Sequence, residues 1–415
     1  MLFAVAAAEE GAAMEVPEFL FVLVAILVAA KLLGELAERA GQPAVLGELL
    51  AGVVLGSSVL GVLDHDLPEM HVIHLLADIG VVLLLFQIGL ETNLPRLLKV
   101  GPASATVAMV GVALPFVLGY AVARALGLET VQSVVCGAAL TATSVGITAR
   151  VLSDLGRLQE PESQIVLGAA VIDDIIGLII LAVVANIMAG GAVTVPGIAL
   201  TTAIAFGFVA AVLVIGRFTI PPLFELLSRV GREETLATMA LAFAFMVAFL
   251  ADRAGSALIV GAFAAGLVLG PTRQAHVVEH GVLRLSMLFV PIFFVWVGAA
   301  VDVTTFADPQ VLLVGGSLIA VAVLGKFLAG FAPFWFKGKK TVIGVGMIPR
   351  GEVGLIFAQM GLTSRVLTPG LFSALTLMVM VTTFLAPPLL KLLFPPRPDV
   401  RPRHLGGLAE ITTEA

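Results

Sequence analysis

Thirteen runs of apolar residues, separated by clusters of glycine, proline and charge, occupy almost the whole of this chain. A hydrocarbon core about 30 Å thick needs about 20 apolar residues to cross it as a helix. The runs fall at 17–37, 46–63, 72–90, 101–126, 131–153, 163–190, 194–216, 233–251, 256–271, 282–301, 309–336, 341–362 and 367–393. The chain is 59% hydrophobic and 13% charged, about half the charge of an ordinary soluble domain. These features predict an all-α polytopic membrane protein with 13 transmembrane helices and no large soluble domain. Residues 1–16 lack a basic start and hold only a short apolar run, so they read as an extracytoplasmic tail rather than a signal peptide. Residues 394–415 are basic and proline-rich and read as a cytoplasmic tail. Residues 221–234 are amphipathic and are expected at the inner surface. The one cysteine, Cys136, excludes an intrachain disulfide.

The basic residues test this count. With the N-terminus outside and the C-terminus inside, 18 of the 23 Lys and Arg residues fall in cytoplasmic segments. Only Arg124, Arg253 and Arg365 fall outside, and Lys326 and Arg350 lie within spans. This is the bias that orients membrane proteins, and one helix more or fewer would scramble it.

Asp173 and Asp174 sit side by side in the middle of the sixth run. A carboxylate at the bilayer centre costs roughly 3 kcal/mol on the mild insertion scales, and such residues usually face a water-filled path for ions or protons. Lys326 is at mid-span in the eleventh run, where its ammonium cannot reach either surface and needs a buried carboxylate. Consecutive helix residues point about 100° apart. One aspartate can therefore pair with Lys326 while the other faces the ion path. A purely structural ion pair is the alternative.

The second run holds Leu46-Gly-Glu-Leu-Leu-Ala-Gly-Val-Val-Leu-Gly-Ser57, and the ninth holds Val260-Gly-Ala-Phe-Ala-Ala-Gly-Leu-Val-Leu-Gly-Pro271. Six positions of the twelve are identical. The two runs are seven apart, so they cross in opposite directions, as in transporters built from inverted repeats. Six helices, a linker helix and six more account for the thirteen. The fifth helix of each repeat carries a breaking pattern: Leu140-Thr-Ala-Thr-Ser-Val-Gly-Ile-Thr148 and Gly344-Val-Gly-Met-Ile-Pro-Arg-Gly-Glu-Val-Gly354. Breaks over 141–148 and 347–354 are expected to cross beside the aspartates. Pro349 lacks an N–H and obstructs the preceding turn. Where broken helices cross, like ends face each other: Glu352 would offset positive N-termini, and Lys326 or Arg350 negative C-termini. Arg350 and Glu352 read as a structural pair at the crossing. Thr143 and Ser144 are candidate oxygen donors to a cation, against ordinary back-bonding to preceding carbonyls. Asp78 reads as a local polar contact. His65, His71 and His74 lie near a loop and are not assigned to a metal.

Gln42-Pro-Ala-Val-Leu-Gly-Glu-Leu-Leu-Ala-Gly52, Phe86-Gln-Ile-Gly-Leu-Glu91, Thr141-Ala-Thr-Ser144, Val171-Ile-Asp-Asp174, Val290-Pro-Ile-Phe-Phe294 and Pro349-Arg-Gly-Glu-Val-Gly354 resemble the monovalent cation/proton antiporter-2 family. The likeness is greatest to its NapA-type bacterial sodium/proton antiporters. The resemblance implies the NhaA/NapA-like fold with two crossed broken helices, in a homodimer in the bacterial cytoplasmic membrane. The dimer domain would be about 17–90 and 233–301, the core domain about 101–190 and 309–393, and the linker helix about 194–216, within a transmembrane domain of 17–393. The core would move like an elevator. Asp174 matches the carboxylate that binds Na⁺ or H⁺, and Asp173 the acid paired with Lys326. Two acids with this lysine resemble the electrogenic type, whereas potassium-efflux relatives of the Kef type carry Gln-Asp and a nucleotide-binding domain. Transport rather than an enzyme reaction is implied, with no cofactor and no nucleic acid.

Potassium/proton exchange is the near alternative, with Li⁺ a further candidate ion, because oxygen ligands and cavity size set ion choice. A cation channel is the alternative of another class, but channels favour symmetric rings of carbonyls or charges. An intramembrane aspartyl protease needs two carboxylates sharing a proton, and neighbours on one helix diverge.

Overall fold

The computed structural model describes residues 16–63, 69–188, 195–230, 233–301, 303–304 and 308–395. Most of both expected tails, and His65, lie outside them. The described chain is helical throughout: α1 Val16–Arg39, α2 Ala44–Leu55, α3 Glu69–Glu91, α4 Leu94–Lys99, α5 Gly101–Ala125, α6 Thr130–Ala139, α7 Val145–Asp154, α8 Pro161–Met188, α9 Val195–Val230, α10 Glu233–Arg253, α11 Leu258–Leu269, α12 Ala275–Ala299, α13 Pro309–Ala329, α14 Lys340–Gly346, α15 Glu352–Thr363 and α16 Pro369–Leu393.

Among the described residues, nine helices are long and apolar enough to cross a membrane. Four of the thirteen apolar runs are shorter or divided. α2 and α11 have 12 residues each, about 18 Å at 1.5 Å per residue. The fifth run is α6 plus α7, and the twelfth is α14 plus α15. Hydropathy marks where apolar residues lie, and it is blind to a backbone that leaves the helix among them. Two other boundaries differ from expectation. The eleventh run, read to 336, ends its helix at Ala329, and turns follow to Lys339. The linker helix, read as 194–216, continues through Pro221 and Pro222 to Val230. The amphipathic stretch expected as a separate surface segment is thus largely the end of α9. Adjacent prolines remove two N–H donors and normally mark a stop, but here the helix passes through them.

The contacts divide the chain into two compact units. The first holds Met1–Gly80 and Met287–Thr304, and α1 packs on α2 within it. The second holds Val81–Ser286 and Thr305–Ala415. There α5 packs against α8, α6 and α13, and α16 against α13 and α15. α9 and α10 pack on α11. One apolar core of the second unit joins Cys136, Leu140, Leu318, Phe357, Leu375 and Met378.

Close helix crossings recur on corresponding residues inside the two units. In the first unit a Cβ on Gly52 would lie 2.1 Å from the Val295 carbonyl oxygen, and one on Gly298 2.0 Å from that of Leu49. In the second, a Cβ on Gly266 would lie 2.3 Å from the Phe86 carbonyl oxygen, and one on Gly89 2.3 Å from that of Phe263. Small residues let backbones touch where no water-driven hydrophobic force holds helices together. Gly266→Ala is expected to cost about 1–3 kcal/mol through forced backbone shifts, read as a lowered melting temperature in detergent. Gly207→Ala, with nothing within 4 Å of the new methyl, is expected to leave it unchanged.

Candidate cation and proton site

Asp173 and Asp174 lie in the middle of α8, 0% and 3% exposed. Lys326, on α13, is 0% exposed, and its Nζ donates to Asp173 Oδ2 at 2.5 Å. The Thr143 hydroxyl donates to the same oxygen at 2.5 Å. Among the described residues, Asp173 Oδ1 accepts no hydrogen bond. Gly111, on α5, faces the lysine: a Cβ there would be 3.4 Å from Nζ. A larger side chain would press on the ammonium, so the absence of one helps set where the charge can sit.

Thr143 reaches Asp173 because α6 stops at Ala139 and α7 begins at Val145. The Thr141 hydroxyl back-bonds to the Ala138 carbonyl at 2.7 Å, which offers the chain an alternative to continuing the helix. The second interruption runs between Gly346 and Glu352. Pro349 has no N–H and disfavours helix at the residue before it. The open segments, 140–144 and 347–351, are shorter than the expected intervals, because 145–148 and 352–354 are already helical.

The two interruptions touch. The Ser144 N–H donates to the Pro349 carbonyl at 2.8 Å, and the Thr148 hydroxyl to the Gly346 carbonyl at 2.7 Å. A Cβ on Gly351 would lie 2.7 Å from Ser144 Oγ, so only glycine allows this approach. These close contacts join unlike helix ends. The start of α7 meets the end of α14, and a Cβ on Gly354 near the start of α15 would lie 3.4 Å from the Ala139 carbonyl oxygen at the end of α6.

Arg350 is 0% exposed and turns toward carbonyls. Nη1 donates to Ala142 at 2.9 Å and Nη2 to Ala322 at 3.5 Å. It therefore serves the negative end left open after α6. Its own carbonyl accepts the Thr383 hydroxyl at 2.5 Å. Glu352 is the first residue of α15, and its side chain lies outside those described. Thr383 and Gly111 escaped the sequence reading, whereas Thr148 was placed in the first break. Thr383 was legible only as a hydroxyl within an apolar run, and Gly111 carried no signal apart from its size. Asp78 and His74 are paired with each other at 3.7 Å, the local polar contact expected of Asp78. Among the described residues no group of three His, Cys, Asp or Glu could hold a metal.

Removing one member of a buried ion pair strands the other and costs about 3–5 kcal/mol. Lys326→Ala alone is expected to lower the melting temperature strongly, while Lys326→Ala with Asp173→Asn recovers most of the loss. A double-mutant thermal cycle measures this, and additive losses would contradict the pairing energy.

The transmembrane model of the sodium/hydrogen exchanger family matches residues 22–394. The chain is 41% identical over 412 residues to the high-affinity Na⁺/H⁺ antiporter NhaS3 of Synechocystis, covering 90% of this chain and 89% of that protein. It is 37% identical to the Na⁺/H⁺-K⁺ antiporter GerN of Bacillus cereus, covering 91% and 96%. It is 31% identical to a Na⁺/H⁺ antiporter of Enterococcus hirae, covering 90% and 97%. Its fold is similar to that of the sodium/proton antiporter MjNhaP1 of Methanocaldococcus jannaschii, with a TM-score of 0.68 at 18% identity, covering 92% of this chain and 99% of that one. A multi-pass helical chain with a buried carboxylate–ammonium pair at two touching helix breaks, matched over this length, belongs to the transmembrane sodium/hydrogen exchanger family, a family of transporters rather than enzymes.

Proposed function

We propose that this chain is a secondary sodium/proton antiporter in which Na⁺ and H⁺ compete for Asp174. The observation that carries the reading is the buried Asp173–Lys326 pair, at 2.5 Å, next to Asp174 on the same helix. A site that holds either a cation or a proton, and crosses only when neutralised, exchanges one for the other by linkage. Sodium at Asp174 is the substrate. The Thr143 and Ser144 hydroxyls and Asp173 Oδ1 would supply oxygens suited to a hard cation. The GerN relative carries K⁺ in its name, which keeps potassium/proton exchange as the second reading.

The architecture belongs to the same proposal. Thirteen crossings arise when α2, α11 and the two divided segments each count as one. Matching glycine crossings at Gly52 and Gly266 support a repeat, and the odd offset makes it inverted. The distribution of basic residues supports an orientation with the N-terminus outside and the C-terminus inside, and a bacterial cytoplasmic membrane is part of this reading. Two copies would associate through about 17–90 and 233–301. The core of about 101–190 and 309–393 would carry the site across the membrane as an elevator.

Transport is electrogenic in this reading because Lys326 is a second proton carrier. Cation entry at Asp174 draws Asp173 away, and the ammonium, left without its carboxylate, gives up a proton. With the proton lost from Asp174, two protons move for one cation.

The deciding experiment reconstitutes the protein in liposomes with an imposed pH gradient and adds Na⁺, Li⁺ or K⁺ in turn. Wild type is expected to dequench a lumenal pH dye on adding Na⁺. Asp174→Asn is expected to insert normally and give no response, and near-normal exchange by that variant would remove Asp174 from the role. Lys326→Gln, paired with Asp173→Asn if it does not accumulate, is expected to keep residual exchange but lose sensitivity to membrane potential. Retained current at unchanged stoichiometry would make the lysine a brace only.

A further inference from the structure

We propose that a cavity beside the N-terminal ends of α5 and α8 binds the headgroup of an anionic phospholipid that carries hydroxyls, such as a phosphatidylglycerol. The cavity holds about 600 Å³ and lies away from the aspartates. Arg96 and Lys99 reach it from α4, Pro102 from α5, Gln164 from the first turn of α8, and Trp335 and Lys337 from the segment joining α13 to α14.

Charge comes first. Arg96, Lys99 and Lys337 are all exposed, and among the described residues none of them is in an ion pair. The acid on the wall, Glu160, is engaged by Arg157 Nη1 at 3.3 Å. Three cations therefore converge at the rim of a largely apolar hollow, and the neighbouring Glu162 carboxylate, which accepts the Lys339 N–H, forms no ion pair with them among the described residues. Each basic side chain near a membrane surface adds to attraction for anionic lipid.

Gln164 supplies a separate observation. It is 1% exposed, and its Nε2 donates to the Leu158 carbonyl at 2.8 Å. Its Oε1 has no partner among the described residues, although it belongs to a side chain lining the cavity. A buried acceptor without a donor is costly, so the occupant should bring an O–H. A glycerol headgroup does this and a choline headgroup cannot. The source is the bilayer rather than a soluble anion. Trp335 is 49% exposed and Phe334 81% exposed, and such rings sit at membrane interfaces. The occupant would touch α5, which presents Gly111 to Lys326, α8, which carries both aspartates, and the connection from α13 to α14. Binding would therefore brace the elements that hold the ion site. The proposal needs only that the chain spans a membrane, and it stands apart from the ion transported.

The test melts the purified full chain in detergent with added lipid. Phosphatidylglycerol is expected to raise the melting temperature by several degrees. Phosphatidylmethanol, of equal charge but without the hydroxyls, is expected to give less than half that shift. Phosphatidylcholine and soluble glycerol phosphate are expected to give none. The Arg96→Gln/Lys99→Gln/Lys337→Gln variant should lose most of the shift, while the control Lys31→Gln/Arg273→Gln/Arg284→Gln keeps it. Gln164→Leu should make phosphatidylglycerol and phosphatidylmethanol equivalent. An undiminished shift in the rim variant, or a full shift from phosphatidylcholine or from glycerol phosphate, overturns the assignment. If the triple variant does not accumulate, single variants are compared by native mass spectrometry. At least threefold less retained phosphatidylglycerol is expected, and unchanged retention overturns the site.

Discussion

An ammonium and a carboxylate held 2.5 Å apart with no access to solvent, Lys326 and Asp173, set the terms for the rest of this structure. Taking each ion out of water costs several kcal/mol even after relaxation, and attraction repays this only when geometry is good and neighbouring groups help. The surroundings supply that help. Thr143 adds a second donor to the same carboxylate oxygen. Gly111 leaves room for the ammonium, so α5 and α13 can approach around it. Arg350, equally buried, gives one donor to the Ala142 carbonyl and one to that of Ala322. Two acids and two bases thus share one interior, and their formal charges balance when all four are ionised.

The helix interruptions follow from the same requirement. A continuous helix would lock the carbonyl of residue 142 into its own ladder and turn Thr143 wherever the helical repeat placed it. Opening the backbone at 140–144 frees the carbonyl for Arg350 and the hydroxyl for Asp173. The opening exposes backbone groups, which in a membrane interior must find partners. They find them in the other interruption, through Ser144 to Pro349 and Thr148 to Gly346. Each break therefore satisfies part of the other, which explains why a proline is tolerated here. Neither break is stable alone in hydrocarbon, and together they need few outside donors, Thr383 being one.

The parts of this arrangement legible in the sequence were those that carry a cost. An aspartate pair and a lysine at mid-span are expensive in lipid, so their residue types alone announced a site and suggested that one acid meets the lysine. The helices that cross by length alone were legible for a similar reason, since about 20 apolar residues are needed to span the core. What the sequence could not carry was geometry that costs nothing locally. Pro349 and the Thr/Ser run marked both breaks but not where helix resumes, because Val145–Thr148 and Glu352–Gly354 suit helix once a neighbour covers their ends. The linker helix was read to residue 216, with a separate surface stretch from Pro221, yet the helix continues through both prolines to Val230. Arg350 was read beside Glu352 because of sequence proximity, and it was the fold that brought the Ala142 and Ala322 carbonyls to it from elements far along the chain.

A buried ion pair is poor evidence of stability, since well-packed apolar side chains of similar volume often do as well or better. The expense at Asp173 and Lys326 therefore calls for a use other than bracing. The neighbouring acid supplies one in the proposed mechanism. Asp173 and Asp174 share a backbone but diverge by about 100° around α8, so one can remain tied to Lys326 while its neighbour serves an ion. Because they share that backbone, a rotation or shift of α8 that improves ligation at Asp174 must strain the contact at Asp173. A pair whose net stabilisation is small can yield to such strain, whereas a pair that dominated stability would hold the helix still. Thr143 sharpens the coupling, because its hydroxyl already bonds Asp173 from the first break, and a cation recruiting that oxygen would loosen the pair from a second side. The weakness of the ion pair is then the property that lets cation entry be felt at the lysine.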